Sequence, residues 1–136
     1  MNIYSWILII ILTFVFLIVF CVFLKLKGHQ EFLAKQNYYI RSHWIRIIDM
    51  CNNNPIQSVI DADKILDYAL NVKGFKGSMG DKLKKAGRRF SNLNGLWEAH
   101  KLRNKLAHEF KEVKLVEARK ALAEFKRALL DLGAEI

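Results

Sequence analysis

The first 24 residues, Met1–Leu24, read MNIYSWILIIILTFVFLIVFCVFL and contain no charged side chain. A helix rises about 1.5 Å per residue, so about 20 apolar residues cross a hydrocarbon core of about 30 Å. Residues 3–24 supply that length, and Trp6 lies near one end of the run, where aromatic residues favour the membrane interface. A cleaved signal peptide is the alternative, but no basic segment precedes the run and no small-residue cleavage site follows it. The stretch predicts one transmembrane helix, with residues 1–24 as the anchor.

The charges on either side of the apolar run predict its orientation. The only positive group before it is the amino terminus, whereas several basic residues follow it: Lys25, Lys27, Lys35, Arg41 and Arg46. Positive charges favour the cytoplasmic side of a membrane. The sequence therefore predicts a single-pass protein of the inner (plasma) membrane, with its N-terminus outside and its remaining part in the cytoplasm.

Composition limits what the rest of the chain can be. All charged side chains follow Leu24, and the formal net charge is +9. Residues 25–136 are long enough for one small domain. A positive surplus suits polyanions such as RNA, DNA or an anionic membrane surface, although solubility and topology also use lysine. Cys21 lies within the apolar run and Cys51 beyond it, so we expect reduced thiols, which fit the cytoplasm.

The remaining sequence predicts an all-α fold. No stretch alternates between apolar and polar residues with period two, as strands do. Before residue 52, apolar residues recur at helical spacing: Leu33, Ile40, Trp44, Ile47 and Cys51. We expect residues 25–54 to form a juxtamembrane amphipathic helix, and residues 55–136 to form the core of a four- to five-helix bundle.

Local signals predict where the later helices begin and end. Asn54 is expected to cap a helix that has Pro55 at its first position. Ser78 and Asp81 have the spacing of a capping box ahead of a short basic helix. The last two helices are expected over the following ranges: Leu96 to about Phe110, and about Val113 to a stop at Gly133.

Polar residues that can do chemistry lie together in residues 97–109. The stretch reads WEAHKLRNKLAHE and contains Arg103, a polar residue directly after it, Asn104, and a histidine five positions on, His108. This arrangement resembles the R-x(4–6)-H signature of the HEPN superfamily of small helical domains. In that family a polar residue commonly follows the arginine. The surrounding sequence, residues 55–134, is also similar to small bacterial HEPN-like proteins with one membrane span.

The resemblance implies metal-independent cleavage of RNA, with Arg103, Asn104 and His108 as catalytic residues and no cofactor. His108 would remove the proton of a ribose 2′-hydroxyl, which attacks the adjacent phosphate and leaves a 2′,3′-cyclic phosphate. Arg103 would stabilise the charge on the phosphorane through its planar fork, and Asn104 would orient the phosphate or His108. A basic patch would hold the RNA backbone: Lys82, Lys84, Lys85, Arg88, Arg89 and Lys101.

The predicted site is split on a regular helix, where Arg103 and His108 lie about 140° apart and share no face. In HEPN-like proteins two protomers bring their signatures together across a dimer interface. A kink or a helix end near His108 would also close the gap. The resemblance therefore implies a homodimer, and it implies an inhibitory nucleotidyltransferase-like partner of the kind that accompanies RNA-degrading toxins.

The same residues also have structural interpretations. Arg103 can pair with an acid such as Glu98 or Glu109, and His108 can lie at a helix C-terminus where the helix dipole stabilises its proton. The domain would then be a catalytically inactive, membrane-tethered helical module that binds a protein partner. A weaker alternative is lipid or nucleotide binding by the short basic helix.

Three further side chains have simple expected roles. We expect His100 to be partly exposed and to bond Glu98 or a backbone group. His100 and His108 would lie about 12 Å apart along a helix, so they cannot share a metal ion. Asp63 and Asp67 share a helix face, and a solvated face beside a lysine is favoured over a pair of acid–base carboxylates.

Overall fold

The computed structural model describes residues 2–109 and 112–136, and for residues 25–33 it describes the backbone only. The described residues form helices and no strand, which confirms the all-α prediction. The helices lie in the following order: α1 (Ile3–Met50), α2 (Pro55–Val72), α3 (Met79–Ala86), a short 3-10 helix (Gly87–Arg89), α4 (Leu93–His108) and α5 (Leu115–Asp131).

The N-terminal part of α1 is the apolar helix expected from the sequence. Ile3–Leu24 spans 22 residues and includes an 18-residue stretch with a mean hydropathy of 3.5, none of which is buried within the protein. Its large apolar side chains are therefore exposed along its length, for example Ile10 and Phe16. By length and composition this helix can cross a membrane.

The chain divides into a unit that ends at Lys35 and a compact unit from Gln36 to Ile136. The second unit takes in the last part of α1, whose buried side chains are Ile40, Trp44, Ile47 and Cys51. These residues recur at the predicted spacing and join the core of the bundle, which thus begins well before residue 55. The side chain of Leu33, assigned to the same face, lies outside the described residues.

The compact unit is built around α2. This helix packs against α3, α4 and α5, and α4 also packs against α5. The side chains at its centre are almost completely buried: Val59, Leu66, Leu70, Leu83, Leu96, Phe125 and Leu129. Burying a side chain of this size stabilises a fold by about 1.5 to 3 kcal/mol, so this apolar centre dominates the stability of the bundle.

Two predicted helix starts are confirmed. The Asn54 side chain accepts a hydrogen bond from the backbone N–H of Gln57 (3.1 Å), and Pro55 is the first residue of α2. Ser78 and Asp81 form the capping box of α3: the Asp81 carboxylate accepts from the Ser78 hydroxyl (2.6 Å) and from the Ser78 N–H (3.1 Å). The hydroxyl bond, followed by the backbone bond, holds the pKa of Asp81 below its ordinary value.

The later boundaries agree with the sequence in part. Gly133, with a φ of +89°, follows the end of α5 as predicted, a left-handed conformation that suits glycine. α4 begins at Leu93, three residues before the expected start, because Asn92 caps it by accepting from the N–H of Gly95 (3.2 Å). The expected end at Phe110 lies outside the described residues.

Candidate functional site

Asp63 lies in the interior of the bundle. It follows Val59 by four positions and precedes Leu66 by three on α2, so it belongs to the apolar face, and its side chain is 4% exposed. The expectation that it lies on a solvated face is therefore wrong. Asp61, two residues earlier, does pair with exposed Lys64 (3.2 Å). A buried carboxylate costs free energy unless cations or hydrogen-bond donors lie beside it, so Asp63 needs partners inside the bundle.

The first partner of Asp63 is His100 on α4. His100 Nδ1 lies 2.8 Å from Asp63 Oδ1, and the histidine side chain is only 10% exposed. The ring of Trp97 packs edge-on against the imidazole, with 6.0 Å between the ring centroids. The expectation of a partly exposed His100 bonded to Glu98 or to the backbone is therefore wrong. Instead, His100 connects α4 to α2 through the interior.

The second partner of Asp63 is Arg103, one turn further along α4. Arg103 Nε lies 3.1 Å from Asp63 Oδ2, and the arginine side chain is 25% exposed. The buried Nε–H is not aligned with any hydrogen-bond acceptor among the described residues, so this contact is an ion pair without a formed hydrogen bond. The acid that pairs with Arg103 is thus Asp63 of another helix, in place of the neighbouring Glu98 or Glu109.

Asn104 completes the set of contacts. Its Oδ1 accepts a hydrogen bond from Arg103 Nη1 (2.9 Å), and its Nδ2 lies 3.3 Å from His100 Nε2. Asp63, His100, Asn104 and Arg103 therefore form a closed ring of contacts, which we call the Asp63 cluster. One residue comes from α2 and three from α4, so the cluster holds the two helices in register.

His108 lies apart from the Asp63 cluster. It is the last residue of α4, its side chain is exposed, and the chain continues at Glu109 with extended backbone (φ −117°, ψ 142°). Within the described residues, His108 forms no hydrogen bond or ion pair. The structure thus brings Arg103 and Asn104 together and leaves His108 on its own at the helix end.

The basic patch is smaller than the sequence indicates. Lys82 is buried, and its Nζ donates to Asp67 Oδ1 at 2.6 Å. The expectation that Lys82 is available to bind a polyanion is therefore wrong. Lys85 donates to the carbonyl oxygen of Lys76 (2.8 Å), and the guanidinium of Arg89 lies over the Phe75 ring at 5.4 Å. The exposed members of the patch are Lys84, Lys85, Arg88, Arg89 and Lys101.

The Asp63 cluster contains two residues that sequence reasoning missed, Asp63 and His100. A signal was present: Asp63 occupies a core position between Val59 and Leu66, and His100 follows the buried Leu96 by four positions. A polar residue on an apolar helix face predicts a buried partner, because an unpaired polar group there is costly. The sequence did not say which helix supplies that partner.

No family model matches the chain, and no curated protein or solved structure matches it. Residues 2–109 and 112–136 contain no group of three His, Cys, Asp or Glu side chains placed to hold a metal ion. The features of the bundle that bear on function are therefore the Asp63 cluster and the exposed end of α4.

Proposed function

We propose that the chain is a membrane-anchored, HEPN-like endoribonuclease. In this proposal Ile3–Leu24 spans the inner membrane of a bacterium with its N-terminus outside, and the bundle lies in the cytoplasm. The apolar helix and the basic residues that follow it support the anchor and its orientation. The resemblance of Arg103, Asn104 and His108 to the family signature supports the activity.

The placement of Arg103 is the observation that carries the proposal. Its guanidinium pairs with buried Asp63 through Nε and donates to Asn104 through Nη1, while a quarter of the side chain remains exposed. A cation fixed in this way needs little reorganisation when a phosphorane forms against it, which is how preorganised groups lower a barrier. Its planar fork matches two phosphate oxygens, which a lysine ammonium does not.

The proposed reaction needs a base as well as a cation. His108 removes the proton of the ribose 2′-hydroxyl, the 2′-oxygen attacks the adjacent phosphorus, and the bond to the 5′-oxygen breaks. The leaving 5′-oxygen takes a proton from water, and His108 then returns its own proton to the solvent. The products are a 2′,3′-cyclic phosphate and a 5′-hydroxyl, and DNA is not a substrate because it lacks the attacking group. Because Arg103 and His108 lie on different sides of α4, we propose that each complete site combines Arg103 with His108 of the partner subunit.

Exposed basic residues of α3, the 3-10 helix and α4 would hold the RNA backbone. They are the members of the patch that remain after Lys82 is removed from it: Lys84, Lys85, Arg88, Arg89 and Lys101. Lysine and arginine contacts to phosphate are independent of sequence, and they weaken at higher salt because the counterions freed on binding then enter a more concentrated solution, which gains less free energy. The proposed enzyme is therefore expected to bind single-stranded RNA with little sequence preference.

The test is cleavage of an end-labelled single-stranded RNA by the full chain in detergent, with and without a chelator. We expect a cyclic phosphate product, no effect of the chelator, and a rate loss of about 100-fold or more in both Arg103→Ala and His108→Ala. His43→Ala, which changes a histidine of α1 outside the site, is the control and is expected to cleave normally. Intact RNA in the wild-type reaction refutes the enzyme.

Mixing the two inactive variants tests the shared site. A mixed dimer of Arg103→Ala and His108→Ala subunits regains one complete site out of two. If subunits exchange freely, an equal mixture should recover about a quarter of the wild-type rate. No recovery, with subunit exchange shown independently, contradicts a site built from two subunits.

A second candidate is a catalytically inactive module that binds a protein, for example a nucleotidyltransferase-like partner. The observation that favours it is that Arg103 and Asn104 bond each other and reach Asp63 and His100, contacts that stabilise the fold without any substrate. On this account His108 is an ordinary exposed residue. Intact RNA together with a folded bundle supports this candidate.

A further inference from the structure

The Asp63 cluster has a single consistent direction of hydrogen bonding. Arg103 can only donate, so the atom of Asn104 that faces Arg103 Nη1 at 2.9 Å is the carbonyl oxygen. The amide nitrogen of Asn104 then faces His100 Nε2 at 3.3 Å. Because that nitrogen donates, His100 Nε2 must accept and carries no hydrogen.

The state of His100 follows from this direction. With Nε2 bare, the hydrogen of the imidazole lies on Nδ1, which donates to Asp63 Oδ1 at 2.8 Å. Protonation of Nε2 would place two donors face to face, and Asn104 would have to turn its oxygen away from Arg103. The orientation of the Asn104 amide therefore depends on the tautomer of His100, which the bond to Asp63 selects.

The cluster also determines which edge of the guanidinium is available. Arg103 Nε faces Asp63, and one hydrogen of Nη1 is donated to Asn104. The side edge formed by Nε and Nη2 is thus blocked for a bidentate ligand. The end edge is formed by Nη1 and Nη2. Among the described residues no acceptor is bonded to Nη2, and Nη1 has a second hydrogen besides the one donated to Asn104.

We propose that Asp63 and His100 are positioning residues that make Arg103 present its Nη1/Nη2 edge to an RNA phosphate. This inference rests on the proposed ribonuclease function. Neither residue touches RNA in this proposal, since their side chains are 4% and 10% exposed. Asp63 acts on Nε directly, and His100 acts through the direction of the Asn104 amide.

Two substitutions of His100 separate its two bonds. In His100→Gln the amide reaches the place of Nε2, where its oxygen accepts from Asn104. In His100→Asn the shorter amide takes the place of Nδ1, so it still donates to Asp63 but leaves Asn104 without an acceptor. We expect His100→Asn to lower kcat by about 10- to 100-fold with KM changed little, and His100→Gln to stay within about threefold of wild type.

This pair of variants distinguishes positioning from simple support of the fold. A purely structural role predicts that activity follows the unfolding midpoint in both variants, whichever bond is kept. Equal kcat values in His100→Asn, His100→Gln and wild type overturn the positioning role and leave the ribonuclease standing. If wild-type protein does not cleave RNA, the ribonuclease and the positioning role both fail, and that outcome is recognised before any variant is compared.

Nitrogen-15 NMR of histidine-labelled full chain in detergent tests the hydrogen-bond direction without RNA. We expect His100 to show a protonated Nδ1 and a bare Nε2. In Asn104→Asp a carboxylate oxygen would replace the amide nitrogen, so Nε2 should become protonated and the ring should become an imidazolium. A wild-type His100 with its hydrogen on Nε2 overturns the proposed direction of the cluster.

Discussion

The two ends of the Arg103–His108 segment differ in what holds their side chains. Arg103 and Asn104 are tied to buried Asp63 and His100, so the folding of the bundle determines where they lie. His108 ends the same helix with an exposed side chain. The residues of a short sequence signature are therefore not all positioned in the same way: Arg103 and Asn104 are positioned by contacts within the chain, whereas the position of His108 depends on what the end of α4 contacts.

The difference has a simple origin in the helical period. Residues Leu96, Ala99, His100 and Leu106 of α4 are buried, and Arg103 lies on the same side of the helix. A step of five residues turns a regular helix by about 140° from Arg103, which carries His108 away from that side. The R-x(4–6)-H spacing thus separates its arginine from its histidine within one chain.

The largest expected effect comes from removing the carboxylate of Asp63, which contacts both His100 and Arg103. Asp63→Ala takes the acceptor from His100 and the counter-charge from Arg103. Because Arg103 is partly exposed, solvent offsets some of this cost, and we expect the free energy of unfolding to fall by about 2 to 3 kcal/mol. Urea unfolding of the full chain in detergent, followed by tryptophan fluorescence, measures it.

The matched control is Asp61→Ala, two residues earlier on α2. Asp61, whose side chain is 33% exposed, pairs with exposed Lys64 and accepts from Gln57 (2.8 Å), and such solvent-accessible contacts contribute little. We expect a change below about 0.5 kcal/mol. If the two aspartate variants unfold alike, Asp63 is not the buried anchor described here.

A smaller effect compares the two ends directly. Arg103→Ala leaves Asp63 with its hydrogen bond from His100 but without its cation, so we expect a loss of about 1 to 2 kcal/mol in the free energy of unfolding. His108→Ala removes an exposed side chain and should change it by less than about 0.5 kcal/mol. The same unfolding titration measures both variants. Equal losses in the free energy of unfolding would show that the contacts of Arg103 stabilise the bundle no more than exposed His108 does.

The smallest effect concerns Asp81, whose carboxylate lies on the surface, unlike that of buried Asp63. The pKa of Asp81 is lowered in the folded protein by its bonds from the Ser78 hydroxyl and N–H. A lowered pKa means that the cap stabilises the fold above the ordinary value of about 4, and that this contribution is lost as the pH falls through the folded pKa. Asp81→Asn should therefore be less stable than wild type at neutral pH, and this difference should shrink on acidification.

The measurement is the urea midpoint of wild type and Asp81→Asn between about pH 2 and 6, a range that brackets the aspartate pKa. The two midpoints should converge at the acid end. Parallel profiles would show that the cap does not titrate with folding. The acid response that remains in Asp81→Asn then belongs to the rest of the bundle.

Features that depend on neighbouring residues were predictable from the sequence. The apolar run, the Asn54 cap ahead of Pro55, the capping box of Ser78 and Asp81, and the stop at Gly133 all rest on interactions within a few residues. The start of the compact unit at Gln36 was not predictable in this way. The boundary at Gln36 lies within α1, where the apolar residues keep a helical spacing. Spacing alone does not reveal which turns of a helix have a packing partner.

The candidate site was predictable only where it is local. Arg103 and Asn104 are adjacent, and the sequence singled them out together. The contact between Asp63 and His100 joins residues 37 positions apart, and Lys82 meets Asp67 across 15 positions. Such contacts depend on how one helix is rotated and shifted against another. A single sequence records the face of each helix but not that alignment.

The pairing of Lys82 with Asp67 makes the lysine amines of α3 differ in how accessible they are to a reagent. An acylating reagent has to reach the amine, and the Lys82 side chain is only 5% exposed, with its Nζ 2.6 Å from a carboxylate oxygen. Its neighbour Lys84 is open to solvent. Acetylation of the folded protein would thus reach Lys84 and pass over Lys82, although the two are separated by a single residue.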